Sequence, residues 1–168
     1  MIRSEILKSI APIISNELVI CNIGLPSQEL YMIDDQSSNF YMLGTMGLAS
    51  SIVLTNFGTF PTIANNTADN FILFIIDNGS YGSTGDQPTY AGQRTSLAGV
   101  AKECGCENVF ECKAENAKST LQLALASNKK TIIVCKCDSG NIPVGVIGLD
   151  PGLIRHRFMG EVAARNSF

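Results

Sequence analysis

From Phe71 to Ile76 the chain is apolar without interruption, and Asp77-Asn78-Gly79 closes the run. A short apolar block ended by an Asn-Gly reversal predicts a buried strand followed by a sharp turn. Thr131–Cys137 predicts a second strong strand. Leu18–Ile23, Phe40–Leu43 and Val109–Glu111 predict shorter ones. Between them the apolar positions recur at helical spacing. Ile6, Leu7, Ile10, Ile13 and Ile14 place a helix over Arg3–Asn16, with Pro12 marking a kink or a fresh turn. Gly24-Leu25-Pro26-Ser27 breaks the first strand, and Ser27 is the expected N-cap of a helix reaching Met32. Thr59–Asn66, with Pro61 in its first turn, Ser96–Glu103 and Ala114–Ala126 follow as helices. Asp150-Pro151 reads as the N-cap and first position of a last helix, Gly152–Arg165. Gly44-Thr45-Met46-Gly47 opens a segment of small residues, Leu48–Ile52. Ser80–Tyr90 and Asp138–Leu149 carry no periodicity and read as loops.

Strands alternating with helices predict an α/β fold in which a parallel sheet is covered on both faces, a three-layer arrangement. No linker or internal repeat divides the chain, so a single domain over residues 1–168 is expected. Ligands of such folds sit beyond the carboxyl ends of the strands. Three turns fall there: Asn22–Ser27, Gly44–Gly47 and Asp77–Gly85.

Composition narrows the partners. Hydrophobic residues make up 45% of the chain and charged residues 16%, and the net charge is -3. A nucleic-acid binder needs a basic face, which this balance does not supply. The apolar excess suits a doubly covered parallel sheet or a surface shared with partner chains. Charged residues interrupt the first positions, so no signal peptide is expected, and Phe71–Ile76 is too short to span a bilayer. A soluble cytoplasmic protein, with no membrane and no nucleic acid among its partners, is the expectation. Of the six cysteines, Cys135 and Cys137 alternate onto one face of a strand. Cys-x-Cys spacing is tighter than structural zinc sites use, so the cysteines read as small buried hydrophobes.

The chemistry concentrates on Asp77–Gly85. Asn78 offers a neutral oxygen, and Gly79 lets the chain bend so that the Ser80 carbonyl faces inward, a donor set for a hard cation such as Mg²⁺. Gly79, Gly82 and Gly85 admit a ligand close to the backbone. The same residues also make an ordinary Asx turn, and alone they leave both readings open.

Three ordered stretches go further. They are Gly24-Leu25-Pro26-Ser27-Gln28-Glu29-Leu30, Asn39 through Ile52, and Asp77-Asn78-Gly79-Ser80-Tyr81-Gly82-Ser83-Thr84-Gly85-Asp86-Gln87-Pro88-Thr89. With the ending Ile154-Arg155-His156-Arg157-Phe158-Met159, they resemble the beta subunits of sulfopyruvate decarboxylase, and phosphonopyruvate decarboxylase is similar. The resemblance covers most of the chain. It implies a diphosphate-binding domain of the thiamine-diphosphate fold, with thiamine diphosphate and Mg²⁺ as cofactors. By that resemblance Asn78 and the Ser80 carbonyl are metal ligands. Met46 props the bent cofactor, the turn from Gly24 to Ser27 contacts the diphosphate, and Gly44, Tyr81 and Gly82 complete the cofactor contacts. The implied reaction is decarboxylation of a small 2-oxoacid, sulfopyruvate to sulfoacetaldehyde on the route to coenzyme M. Phosphonopyruvate decarboxylase and an acetolactate-synthase-like subunit are the alternatives.

The resemblance also implies a Gly-Asp-Gly motif whose Asp is a metal ligand, and this sequence has none. Ile52 runs directly into Val53, where the end of a helix, a strand and that motif are expected. Asp77 is the carboxylate nearest to Asn78, but on a strand end its side chain points the other way. Weak or absent cofactor binding is therefore expected of this sequence, and a subunit that only scaffolds its partner is the non-enzymatic alternative. The activating Glu of the superfamily lies on a pyrimidine-binding domain, implying an alpha subunit in a hetero-oligomer. His156 and Arg94 read as surface charges, and Tyr81, Thr84 and Gln87 as loop residues able to line a substrate site.

Overall fold

The computed structural model describes residues 1–43, 59–82 and 85–165. The chain runs α1 (Arg3–Ile10), β1 (Val19–Cys21), α2 (Leu25–Ile33), β2 (Asn39–Tyr41), α3 (Thr59–Asn66) and β3 (Ile72–Asp77). A small hairpin follows, β4 (Ser80–Tyr81) and β5 (Gln87–Pro88). Then come α4 (Leu97–Glu103), β6 (Asn108–Lys113), α5 (Ala117–Ser127), β7 (Thr131–Lys136) and α6 (Pro151–Arg165).

The larger sheet has the order β3-β7-β6, all parallel, with Ile72 opposite Thr131 and Asn108 opposite the same residue. As the middle strand, β7 is buried on both faces, and Ile132, Ile133, Val134 and Cys135 are each no more than 1% exposed. Burial of that kind contributes about 1.5–3 kcal/mol for each large aliphatic side chain. Alternation along the strands sends the two sets of side chains to two cores. Leu73, Ile75, Ile132 and Val134 meet Phe60 and Ile63 of α3 and Leu97, Ala98 and Ala101 of α4. Ile133 and Cys135 meet Ile6, Leu7 and Ile10 of α1 and Ala117, Leu121 and Ala124 of α5. Helices cover both faces of a parallel sheet, as the sequence predicts for a three-layer α/β fold.

A separate parallel pair, β1 and β2, aligns Val19 with Asn39 and Cys21 with Tyr41. Among the described residues it is not hydrogen-bonded to the larger sheet. α6 closes over this pair. Ile154 packs with Leu30 and Tyr41, Phe158 meets Phe40 edge to face at 5.4 Å, and Arg157 pairs with both oxygens of Asp35 at 3.0 Å.

Local signals placed most of the ends. Asp150 caps α6 by accepting from the Gly152 N–H at 2.8 Å, and Ser96 caps α4 by accepting from the Gly99 N–H at 3.0 Å. Pro12 ends the α-helical hydrogen bonding at Ile10 and passes the chain into a short 3-10 turn, Ala11–Ile13. Two expectations change. The N-cap of α2 is Gly24, at φ +88°, and not Ser27, which lies inside the first turn. Its hydroxyl donates backwards to the carbonyls of Asn22 at 2.5 Å and Cys21 at 3.3 Å. The stretch after Asn78 is not a plain loop, because Tyr81 pairs with Gln87 and Ser80 with Pro88. Gly85 at φ +117° and Asp86 at φ +56° lie in that reversal, and the polar residues around them hide its alternation.

Candidate functional site

The carboxyl ends of β3 and β7 lie side by side, with Asp77 opposite Lys136. Lys136 Nζ reaches Asp77 Oδ2 at 2.5 Å and donates to the Ala91 carbonyl at 3.3 Å. Asp77 Oδ1 accepts the Gly79 N–H at 3.0 Å, so both carboxylate oxygens are engaged and the side chain is buried. One residue on, Asn78 Oδ1 accepts the Ser80 N–H at 3.2 Å and folds the chain back. Gly79 turns at φ +66°, and its carbonyl accepts the Thr89 N–H at 2.8 Å. Gly92 backs this turn so closely that a Cβ there would stand 2.8 Å from the Gly79 carbonyl oxygen. Ser80 Oγ donates to Asp86 Oδ1 at 3.0 Å across the hairpin. Tyr81 is 49% exposed.

The second turn is built by β1 and α2. Gly24 at φ +88° opens α2, and among the described residues a Cβ added there would meet nothing within 4 Å. The amino end of a helix attracts anions through its free N–H groups and its dipole. Ser27 holds the turn from below through its bonds to Asn22 and Cys21. Beside it, burial pushes the Cys21 thiol up to about 11, against the pull of its hydrogen bond with Ser27.

A side-chain network joins the two turns. Glu29 of α2 is fully buried. It is clamped by Arg3, Nε to Oε2 at 2.7 Å and Nη2 to Oε1 at 2.9 Å. Arg3 Nη2 also donates to Asn141 Oδ1 at 2.9 Å, and Asn141 Nδ2 donates to the Gly82 carbonyl at 2.9 Å. Neither Arg3, Glu29 nor Asn141 stands out in the sequence, because their partners lie on other elements.

Of the residues expected to hold a cofactor, Asn78, Ser80, Tyr81 and Gly82 share one turn, and Gly24 and Ser27 share the other. Gly44, Met46 and the junction of Ile52 with Val53 lie outside the described residues, as does Thr84. His156 is exposed on α6, beside the Arg157 that pairs with Asp35, and Arg94 is exposed ahead of α4. Gln87 belongs to the hairpin. The cysteines are free thiols, and Cys135 and Cys137 pack in the α1–α5 core as expected.

Among the described residues, the glycine turn and the amino end of α2 have the chemistry to take a diphosphate. The fit to a divalent metal is incomplete. Asn78 Oδ1 and the Ser80 carbonyl are neutral oxygens, and Asp77 is held by Lys136. Among the described residues no three His, Cys, Asp or Glu side chains are grouped so that they could hold a metal ion, and none of residues 44–58 is acidic.

Comparison with known proteins decides the family. The chain is 39% identical to sulfopyruvate decarboxylase subunit beta of Methanococcus maripaludis, over 95% of this chain and 97% of that one. The chain belongs to the sulfopyruvate decarboxylase beta-subunit family. The Methanocaldococcus jannaschii beta subunit is 36% identical over 94% of this chain and 95% of its own. Phosphonopyruvate decarboxylase of Streptomyces viridochromogenes is 28% identical over 83% of this chain but only 41% of its own length. No family model matches the chain. The alignment with the M. maripaludis beta subunit runs over 180 positions, whereas 95% of 168 residues is about 160. About twenty positions of that family member therefore have no counterpart here. Among the described residues, no helix is long and apolar enough to cross a membrane.

Proposed function

We propose that this chain is the beta subunit of a sulfopyruvate decarboxylase, binding the diphosphate of thiamine diphosphate at the interface with a separate alpha subunit. The observation that carries the reading is the end-to-end match to beta subunits, joined to a glycine turn at the carboxyl end of β3. Thiamine diphosphate supplies the electron sink for loss of CO₂ from a 2-oxoacid. The chain's own part is to hold and orient. The Gly24 end of α2 receives phosphate oxygens, Asn78 and the Ser80 carbonyl offer two oxygens to Mg²⁺, and Gly79 keeps the backbone close. Gly44, Met46, Tyr81 and Gly82 complete the cofactor contacts in this reading. The activating Glu comes from the alpha chain, and the assembly works in the cytoplasm.

The twenty unmatched positions belong between Ile52 and Val53 in this reading. A strand inserted there would lie between β1 and β3 and join the two parallel sheets into one, carrying the acidic metal ligand that the turn lacks. The present chain then holds its metal by neutral oxygens and retains cofactor weakly.

The test is to co-purify this chain with its alpha subunit and measure CO₂ release from sulfopyruvate with added thiamine diphosphate and Mg²⁺. Decarboxylation by the pair and not by either chain alone is expected, with at least about a tenfold rise in half-saturating cofactor for Asn78→Ala. Activity on phosphonopyruvate instead of sulfopyruvate would move the chain to the other decarboxylase. A stable complex without activity at saturating cofactor would leave it a scaffold.

A further inference from the structure

Three segments distant in sequence, α1, α2 and the Asn141 loop, meet at Arg3, and Asn141 passes the contact to a fourth at Gly82. The Arg3 side chain is 12% exposed, and its guanidinium grips the fully buried Glu29 carboxylate through two bonds, the bidentate arrangement that fixes a guanidinium in one plane. Nη2, which holds Glu29 Oε1, turns its second hydrogen to Asn141 Oδ1 at 2.9 Å. The Asn141 amide is then oriented from both ends. A cation can only donate, so Oδ1 must face Arg3, and a carbonyl can only accept, so Nδ2 must face Gly82. The loop carrying Asn141 is itself tied down. Ile2 bridges to Asp138, the chain's amino group pairs with Asp138 at 2.7 Å, and a Cβ on Gly140 would press on Ile2 at 3.1 Å. Gly82 admits the amide because it has no side chain, since a Cβ there would stand 2.8 Å from Asn141 Nδ2.

We infer that Glu29, Arg3 and Asn141 form a positioning relay that sets the backbone of the Asn78–Gly82 turn from the rigid start of α1 and from α2, keeping the two ligand-facing turns in register. Glu29 lies one helical turn beyond Gly24 and Leu25, so the relay starts on the helix whose amino end receives phosphate oxygens in the proposed function. It ends on the carbonyl of Gly82, two residues after Ser80. The three residues touch no reacting atom in this arrangement, and they act through the turn. The role of the turn as a cofactor site rests on the proposed function, but the ordering of the turn does not.

Asn141→Asp separates the two contacts. The carboxylate keeps and strengthens the bond to Arg3 but places an oxygen against the Gly82 carbonyl, where no donor remains. Asn141→Leu removes both. Wild type and variants, each in complex with the alpha subunit, are compared in two ways. The first is amide hydrogen exchange over residues 79–90 without cofactor. The second is thiamine diphosphate titration by near-ultraviolet circular dichroism, alongside kcat at saturating cofactor. Both variants should exchange faster over 79–90. Cofactor affinity should fall about tenfold while kcat at saturation stays close to wild type. The thermal midpoint of Asn141→Asp should stay near that of wild type, which a merely structural role would not predict. Unchanged exchange over 79–90 in Asn141→Asp overturns the relay. Faster exchange with unchanged cofactor affinity overturns its coupling to the ligand turns. If wild type itself takes up no thiamine diphosphate, the proposed function falls, and the exchange result alone decides the relay.

Discussion

Replacing Arg3 by methionine leaves Glu29 as a buried carboxylate with its ion-pair partner gone. Glu29 has no exposed surface, and Arg3 supplies two charge-assisted hydrogen bonds at 2.7 and 2.9 Å. Breaking a buried pair from one side costs about 3–5 kcal/mol, because the remaining charge stays out of water without compensation. Arg3 is 12% exposed, so water reaches one edge of the pair and the lower end, about 3 kcal/mol, is expected. For a chain of this size that lowers the thermal midpoint by about 6–12 °C. Removing both charges should cost much less. In Arg3→Met with Glu29→Met, two apolar side chains of similar length fill the space, and the double variant should lie within about 1–2 kcal/mol of wild type. The assay is urea denaturation followed by circular dichroism at fixed protomer concentration, since partner chains shift apparent stability by mass action. The cycle should return a coupling of about 2 kcal/mol or more. A loss below about 0.5 kcal/mol for Arg3→Met, the range of an ordinary surface change, would refute the reasoning. So would a double variant as unstable as the sum of the two singles.

Further predictions follow from single contacts. Gly92→Ala brings a Cβ to 2.8 Å from the Gly79 carbonyl and 3.0 Å from its Cα, so the turn must move. A stability loss of about 1–3 kcal/mol is expected by denaturant melting, together with weaker thiamine diphosphate binding. Ile133→Ala, in the fully buried centre of β7, should cost about 2–5 kcal/mol by the same melting experiment. Burial holds the Cys21 and Cys137 thiols up to about 11 each, against an ordinary value of 9.0. The stabilisation from keeping them neutral is full below pH 9, where the unfolded chain is also protonated, and is lost as pH rises through 11. The denaturation midpoint should therefore fall between pH 9 and pH 11, and the fall should be shallower in Cys21→Ala with Cys137→Ala. Equal slopes would count against those shifts.

Strand and helix positions were legible because their signals are local. Ile72 to Ile76 followed by Asn-Gly, the Asp150-Pro151 start and the Ser96 cap each sit within a few residues of what they specify. The two candidate turns were legible for the same reason, since glycines mark where the backbone must turn. Ser27 misled because Ser is among the preferred N-cap residues. Here Gly24 takes the cap at φ +88°, and the hydroxyl turns back to Asn22. The β4–β5 hairpin was hidden because two-residue strands leave too little alternation to read.

Pattern and spacing thus carried the elements, the parallel α/β class and the turns at the strand ends. Pairings between elements needed the folded chain. Lys136 meets Asp77 across 59 positions because parallel register sets the two strand ends side by side. Arg3 reaches Glu29 across 26 positions and Asn141 across 138, through the packing of α1 on α2 and the bridge from Ile2 to Asp138. A charged residue read along the chain carries no mark of the partner that will neutralise it. That choice is made only when burial removes water as the alternative and leaves one neighbour within reach.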